Sequence, residues 1–253
     1  MLTILNINKI FPGGFQPVLK NINLVLQRGD FCIVIGSNGS GKSTLMKIIA
    51  GEYTSDTGTV MIQDKDLTRE DRNHVIAFVT QDVNQGTIPE MTLLENMTLS
   101  LSRTKRSGFS LYHRHAKRIT QEIQALGMGL ENYLHIPLGH LSGGQRQMVA
   151  TIMAVTSRPK LLLLDEHTSA LDPGTQRMVM AYTAQAISEQ QLTSLMITHN
   201  LADAVNYGNR LIMLHKGQIV FDVSGKEKAN LNVTELLTLF HAYEDTVLLE
   251  EPA

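Results

Sequence analysis

Residues 36–44 read Gly36-Ser37-Asn38-Gly39-Ser40-Gly41-Lys42-Ser43-Thr44, and no other stretch constrains the fold as tightly. The run fits the pattern G-x-x-x-x-G-K-[ST]. It follows the apolar segment Phe31–Ile35 and leads into a helical pattern over Thr44–Ala50. A strand that stops in glycines and reopens as a helix leaves backbone N–H groups bare at the helix start, where they attract phosphate. In that arrangement the glycines let the backbone wrap the phosphates. Lys42 reaches the β and γ phosphates, and the Ser43 hydroxyl coordinates Mg²⁺. A nucleotide loop of this kind calls for an α/β sheet to carry it.

Composition leaves that reading room. A chain of 253 residues, 43% hydrophobic, can bury a core in one large domain with a smaller lobe. The net charge of −2 exerts no global pull toward nucleic acid. Cys32 is the single cysteine, which excludes an internal disulfide and suits a reducing compartment. Its place in Phe31–Ile35 predicts a buried, inert thiol. The longest purely aliphatic run, Leu161–Leu164, falls far short of the ~20 residues that span a bilayer. The opening MLTILNINKIF lacks the basic-then-apolar order of a signal peptide. A soluble protein that stays in the cytoplasm is therefore expected.

The first third alternates like half-exposed strands, with Ile4, Ile7 and Ile10 in one and Ile22, Leu24 and Leu26 in another. Thr57-Gly58 reads as a turn before a strand at 59–62. These segments predict an antiparallel β lobe. Helical patterning dominates from Asn96 to Thr156, clearest over Ala116–Leu126 and Gln145–Val155. Strand Leu161–Leu164, helix Gly174–Glu189, strand Ser194–Thr198 and a hairpin Arg210–Leu214/Gln218–Val223 turning at Lys216-Gly217 come next. The expected architecture is an α/β P-loop NTPase (RecA-like) core with an N-terminal antiparallel β lobe and an inserted helical lobe. Core and β lobe take 1–81 and 157–225, the helical lobe 82–156. Residues 226–253 read as a tail, acidic at Glu244, Asp245, Glu250 and Glu251.

Each of four apolar runs ends in a residue able to touch phosphate, metal or water. Phe31–Ile35 ends at Gly36, Val75–Val79 runs to Thr80-Gln81, Leu161–Leu164 ends at Asp165-Glu166, and 195–198 ends at His199. Ligands of parallel α/β sheets bind outside the carboxyl ends of the strands, so neighbouring runs would bring these residues to one site. Asp165 then serves Mg²⁺ through water, and Glu166 holds the attacking water as general base. Gln81 belongs to the Mg²⁺ and water shell, and His199 faces the γ-phosphate. The other eight histidines show no metal-binding spacing.

A second glycine pair, in Leu141-Ser142-Gly143-Gly144-Gln145-Arg146-Gln147, opens another helix and needs its own phosphate. Together with the loop at 36–44, Asp165-Glu166 and Ser169-Ala170-Leu171-Asp172, it resembles the signature of ATP-binding cassette (ABC) ATPases. The resemblance covers nearly the whole chain. It implies that Ser142, Gly143 and Gly144, supported by Gln145, cap the γ-phosphate bound to a second copy. Two ATP molecules with Mg²⁺ would be sandwiched in a two-fold homodimer. It also implies that Phe11 stacks on adenine and that Asp172 reaches toward the partner's site. An integral-membrane permease would bind near Gln81 and the helical lobe, with a substrate-binding protein acting through it. The chain would lie on the inner face of the cell membrane, as an importer ATPase of the bacterial subgroup associated with tryptophan/tyrosine-type binding proteins.

Most family members have proline where this chain has His167. The change is expected to loosen the turn and to bring a titratable imidazole beside Glu166. The span 100–120 carries Arg103, Lys105, Arg106, Arg114, Lys117 and Arg118 without an acidic residue, which reads as a solvated face or, beside a membrane partner, as charge suited to anionic headgroups. Phe109 and Tyr112 interleave it too thinly for nucleic-acid binding. A soluble ABC ATPase without a permease, for cofactor assembly or nucleic-acid-linked work, is the alternative. A P-loop kinase or GTPase would have to explain the signature away.

Overall fold

The computed structural model describes residues 1–82, 86–102 and 112–245. Arg103, Lys105, Arg106, Phe109, Glu250 and Glu251 lie outside these residues, as do the side chains of Tyr112, Arg114, Glu244 and Asp245. In chain order the strands are β1 (Leu2–Lys9), β2 (Leu19–Leu26), β3 (Phe31–Ile35), β4 (Thr57–Ile62), β5 (Lys65–Asp66), β6 (Ile76–Val79), β7 (Leu161–Asp165), β8 (Thr193–Ile197), β9 (Arg210–His215) and β10 (Gln218–Ser224). The helices are α1 (Lys42–Ala50), α2 (Arg69–Val75), α3 (Leu93–Ser102), α4 (Tyr112–Leu126), α5 (Gly143–Thr156), α6 (Pro173–Gln190), α7 (Leu201–Asn206), α8 (Gly225–Asn230) and α9 (Val233–Asp245). The chain forms two compact units, one of Met1–Arg72 with Thr193–Ala253 and one of Asn73–Leu192.

In the first unit, β2-β1-β4-β5 form the expected antiparallel sheet. Leu2, Ile4 and Ile7 are buried, whereas Ile10 lies past the end of β1 and is 47% exposed, so the period stops one isoleucine early. Gly58 sits inside β4 rather than before it. Its φ is 86°, and a Cβ there would fall 2.4 Å from the Leu5 carbonyl oxygen. The strand pairing slips between Leu5 and Asn8 at this place, and glycine permits the close approach.

Also in this unit, β3 pairs in parallel with both β8 and β9, and β9 returns antiparallel to β10. Every residue of β3 and β8 is buried, which is why both read as unbroken apolar runs. Lys216 and Gly217 turn the hairpin with φ of 45° and 80°, the double left-handed geometry of a tight hairpin turn. Cys32 is fully buried and burial pushes its thiol pKa well up, as expected of an inert core residue.

Part of the segment read as a tail is helical. It forms α8 and α9, with Leu236 fully buried, and the Tyr243 hydroxyl donates to the Val220 carbonyl of β10 at 3.0 Å. Leu236, Leu239, Phe240 and Tyr243 recur at helical spacing along α9, a signal that the sequence carried and that the acidic end beyond it obscured.

In the second unit, β6 and β7 pair in parallel from Ile76–Leu161 to Val79–Leu164. Helices α3, α4, α5 and α6 share a core that includes Leu93, Met97, Ile119, Ile123, Val149, Ile152 and Val179. Helix α3 begins three residues before the predicted start, at a capping box in which Thr92 and Glu95 bond each other's backbone N–H. Asn96 is 2% exposed, and its amide holds the Ile88 and Met91 carbonyls.

Candidate nucleotide site

The loop at 36–44 is shaped by what presses on it. Gly36 has φ 150°, and a Cβ there would overlap the Leu214 carbonyl oxygen of β9 at 2.2 Å. At Gly41, with φ 103°, a Cβ would meet Leu19 and the Val18 carbonyl at 2.7 and 2.8 Å. At Gly39, with φ 78°, a Cβ would meet nothing within 4 Å. The three glycines thus answer to different demands: close packing at the first and last, an exposed left-handed turn between. From the hairpin turn, the Gly217 N–H donates to the Ser40 carbonyl at 3.1 Å and steadies the loop from below.

Within this cradle Lys42 is 6% exposed and donates from Nζ to the Gly36 and Ser37 carbonyls at 2.8 and 2.9 Å. Helix α1 starts with no side-chain cap and no acidic residue in its first turn, so its N-terminal dipole is left for an anion. The Ser40 hydroxyl is buried without a hydrogen-bond partner. Ser43 and Asn38 are exposed, and Ser37 and Thr44 are half-buried. Bare N–H groups, a pre-placed cation and an orphaned hydroxyl are what a polyphosphate satisfies. At the far end of α1, Arg72 donates to the Ile48 and Ile49 carbonyls at 2.9 and 3.3 Å, closing the helix that carries the loop.

His199 follows β8 on the exposed segment beside that loop. With Ile35, Gly36, Thr198, Leu201, Leu237, Phe240 and His241 it lines a cavity of about 210 Å³. Asn200 caps α7 immediately after it, accepting from the Ala202 and Asp203 N–H groups at 2.9 and 3.3 Å. Phe11 is half-buried, its ring edge-to-face with Tyr53 at 5.4 Å between centroids and the Lys9 ammonium 5.4 Å from its centre. Lys9 is held by Asp56 at 3.0 Å, and a second ammonium, Lys47, lies 5.3 Å from the Tyr53 ring. Tyr53 and Lys47 escaped the sequence reading, because a lone aromatic past a helix carries no motif.

The second unit holds the remaining predicted residues. Asp165, 8% exposed, ends the buried strand β7, and Glu166 follows with φ 49°. A non-glycine residue in that region costs on the order of 1 kcal/mol and is tolerated where the surroundings fix it. Here the Ser169 N–H and hydroxyl both donate to the Glu166 carbonyl, at 3.0 and 2.9 Å. The turn is therefore pinned despite the absent proline, contrary to the expected loosening. His167 is 1% exposed with Nε2 unpartnered, and burial draws its pKa down to about 4. The imidazole beside Glu166 is thus neutral at neutral pH.

Gln81 is exposed just past the end of β6, the strand that pairs with the one ending at Asp165. Gln147, 2% exposed, donates to the Thr80 carbonyl at 3.3 Å and ties that strand end to α5. At the start of α5 the Ser142 hydroxyl accepts from the Gln145 N–H at 3.2 Å, and the Gln145 amide oxygen accepts from the Ser142 N–H at 3.0 Å. That capping box explains the glutamine's supporting place in the motif. A Cβ on Gly143 would meet nothing within 4 Å, so the helix start is open to a ligand, while one on Gly144 would come within 3.2 Å of the Leu171 side chain. Asp172 caps α6 through the Gly174 and Thr175 N–H groups at 3.0 and 3.1 Å, and the Thr175 hydroxyl together with these N–H groups holds its pKa below the ordinary carboxylate value. Among the described residues no cluster of three or more His, Cys, Asp or Glu could hold a metal by itself, and no helix is long and apolar enough to cross a membrane.

Comparison with known proteins supplies the frame for these two halves. Residues 19–169 match the model of the ABC transporter family. A tyrosine transport ATP-binding protein of Clostridioides difficile is 41% identical over 95% of this chain and 98% of its own length. A phosphonates import ATP-binding protein of Bdellovibrio bacteriovorus is 33% identical over 87% of each. Among solved structures, a dimeric ATP-binding cassette in a post-hydrolysis state with ADP and Pi superposes with a TM-score of 0.78 at 30% identity, over 88% of this chain and 98% of that one. The chain belongs to the ABC transporter family and is one of its ATP-binding, ATP-hydrolysing cassettes.

Proposed function

We propose that this cassette drives a bacterial importer for an aromatic amino acid of the tyrosine class, working as a homodimer beneath an integral-membrane permease. One observation carries the dimeric scheme. The chain has two helix starts suited to phosphate, α1 behind its glycine loop and α5 behind Ser142, and each offers donors from one side only. A γ-phosphate gripped from opposite sides needs the loop of one copy and the signature of the other. ATP then acts as interface glue, and its hydrolysis releases the pair.

In this reading residues 36–44 bind the phosphates, Phe11 stacks on adenine, and Asp172 approaches the partner's nucleotide. Ser43, Gln81 and Asp165 hold Mg²⁺, an oxygen set suited to that ion, which supplies charge neutralisation on the phosphates when bound. Glu166 takes the proton of the attacking water, and His199 donates to the γ-phosphate as charge develops there. The strained backbone at Glu166, fixed by Ser169, supports its assignment as the residue that must be aimed.

The permease is supported by the second unit. Val79, Ile88, Asn96, Leu99 and Met153 line a cavity of about 340 Å³, with Ile88 and Leu99 42% and 45% exposed. An apolar recess just past Gln81 suits a helix end of a membrane partner, placing the cassette on the inner face of the membrane. A substrate-binding protein would act through that permease. The test is affinity capture of the full chain from gently solubilised membranes. A multi-span membrane protein should co-purify and raise ATP turnover, whereas capture of a soluble assembly alone would favour the cassette without a permease.

A further inference from the structure

Helix α7 is capped by Asn200, the residue next to His199, so whatever fixes α7 steadies the backbone that presents the His199 ring. The C-terminal segment grips this helix at its carboxyl end and along its side. At the carboxyl end, Lys228 of α8, only 3% exposed, donates from Nζ to the carbonyls of Val205 and Tyr207. A buried ammonium is costly unless its protons are used, and here they go to the oxygens that a helix terminus leaves unpaired. Along the side, α9 packs on α7, and its Phe240 and His241 share with Gly36 and His199 the wall of the small cavity described above. Tyr243 anchors α9 itself, through its hydroxyl on Val220 and its ring 6.2 Å from that of His215. Burial lowers the Lys228 pKa, and the two carbonyls are what the structure sets against that cost.

We propose that Lys228 is a positioning residue for His199, and that α8 and α9 form a clamp setting the register of α7 against the nucleotide loop. The inference rests on the assignment of His199 to the γ-phosphate. With the clamp in place the imidazole meets the phosphate without first ordering its own helix. When Lys228 is lost, α7 frays from its carboxyl end and the imidazole spends less time in position, so turnover falls while nucleotide binding, set by α1 and its loop, persists.

The experiment compares Lys228→Met, Lys228→Arg and His199→Ala in the full-length cassette. Lys228→Met should lower kcat about 3–10-fold with KM for ATP within about 2-fold, and should speed amide exchange over residues 201–207. Lys228→Arg should recover at least half of the lost kcat, and Lys228→Met should add nothing to His199→Ala. An unchanged kcat despite faster exchange overturns the clamp, as does a parallel loss of nucleotide affinity. Retained turnover in His199→Ala instead removes the γ-phosphate assignment, which separates the two failures. Should Lys228→Met fail to fold, Tyr243→Phe decides. A smaller kcat-only loss supports the clamp, and wild-type kinetics overturn it.

Discussion

The Lys42 ammonium donates to the Gly36 carbonyl across 2.8 Å, from a side chain only 6% exposed. The cation is held against the loop's own oxygens, and under the proposed function it passes from them to the phosphates. Lys42→Ala should weaken ATP binding by about 10–150-fold, the value of charge-assisted hydrogen bonds in a shielded site. Fluorescent-nucleotide titration measures it, and affinity within 2-fold or so of wild type would remove Lys42 from phosphate binding.

Glu166→Gln keeps the side chain's shape and removes its basicity. Turnover should fall about 10²–10⁴-fold while ATP still binds, and the variant should elute as a dimer with Mg·ATP. Substantial residual hydrolysis would assign the base elsewhere.

Ser142→Asp preserves a good N-cap for α5, so thermal stability should stay near wild type, whereas loss of the cap altogether in Ser142→Ala costs about 1 kcal/mol. The added carboxylate opposes a phosphate, so ATP should bind each chain but not close the pair. Mixing Lys42→Ala with Ser142→Asp chains leaves one intact composite site per heterodimer, and part of the turnover should return. Absence of rescue would mean that each chain completes its own site.

His167 carries the pH prediction. Its pKa falls from 6.5 to about 4 on folding, so between those values the unfolded chain binds a proton that the native chain refuses. Stability attributable to this residue is complete above pH 6.5 and is lost as pH falls toward 4, by up to about 3 kcal/mol. Urea unfolding of wild type and His167→Gln should converge in the acid range, wild type losing more between pH 7 and 4. Parallel pH profiles would show that the imidazole is not buried neutral.

Local chemistry made much of this chain readable before its structure. The glycine loop, Ser142 with Gln145, and the hairpin at Lys216-Gly217 each depend on residues within a few positions, and each folds as expected. Non-local demands were invisible. Gly58 reads as a turn until the Leu5 carbonyl beneath it is seen, and no motif marks Lys228 as the residue that meets the end of α7. His167 announced itself as a titrating group, yet burial, which has no short-range signature, silenced it.

The contact between Gly36 and Leu214 bears on synthesis as well as on shape. A ribosome that has made the first hundred residues has already written the whole glycine motif, but the strand and turn that mould it, Leu214 and Gly217, are still uncoded into protein. Competence to hold ATP should thus arrive late in translation, when the hairpin emerges and docks. A nascent fragment stopped before that point would carry every letter of the motif and bind its nucleotide poorly.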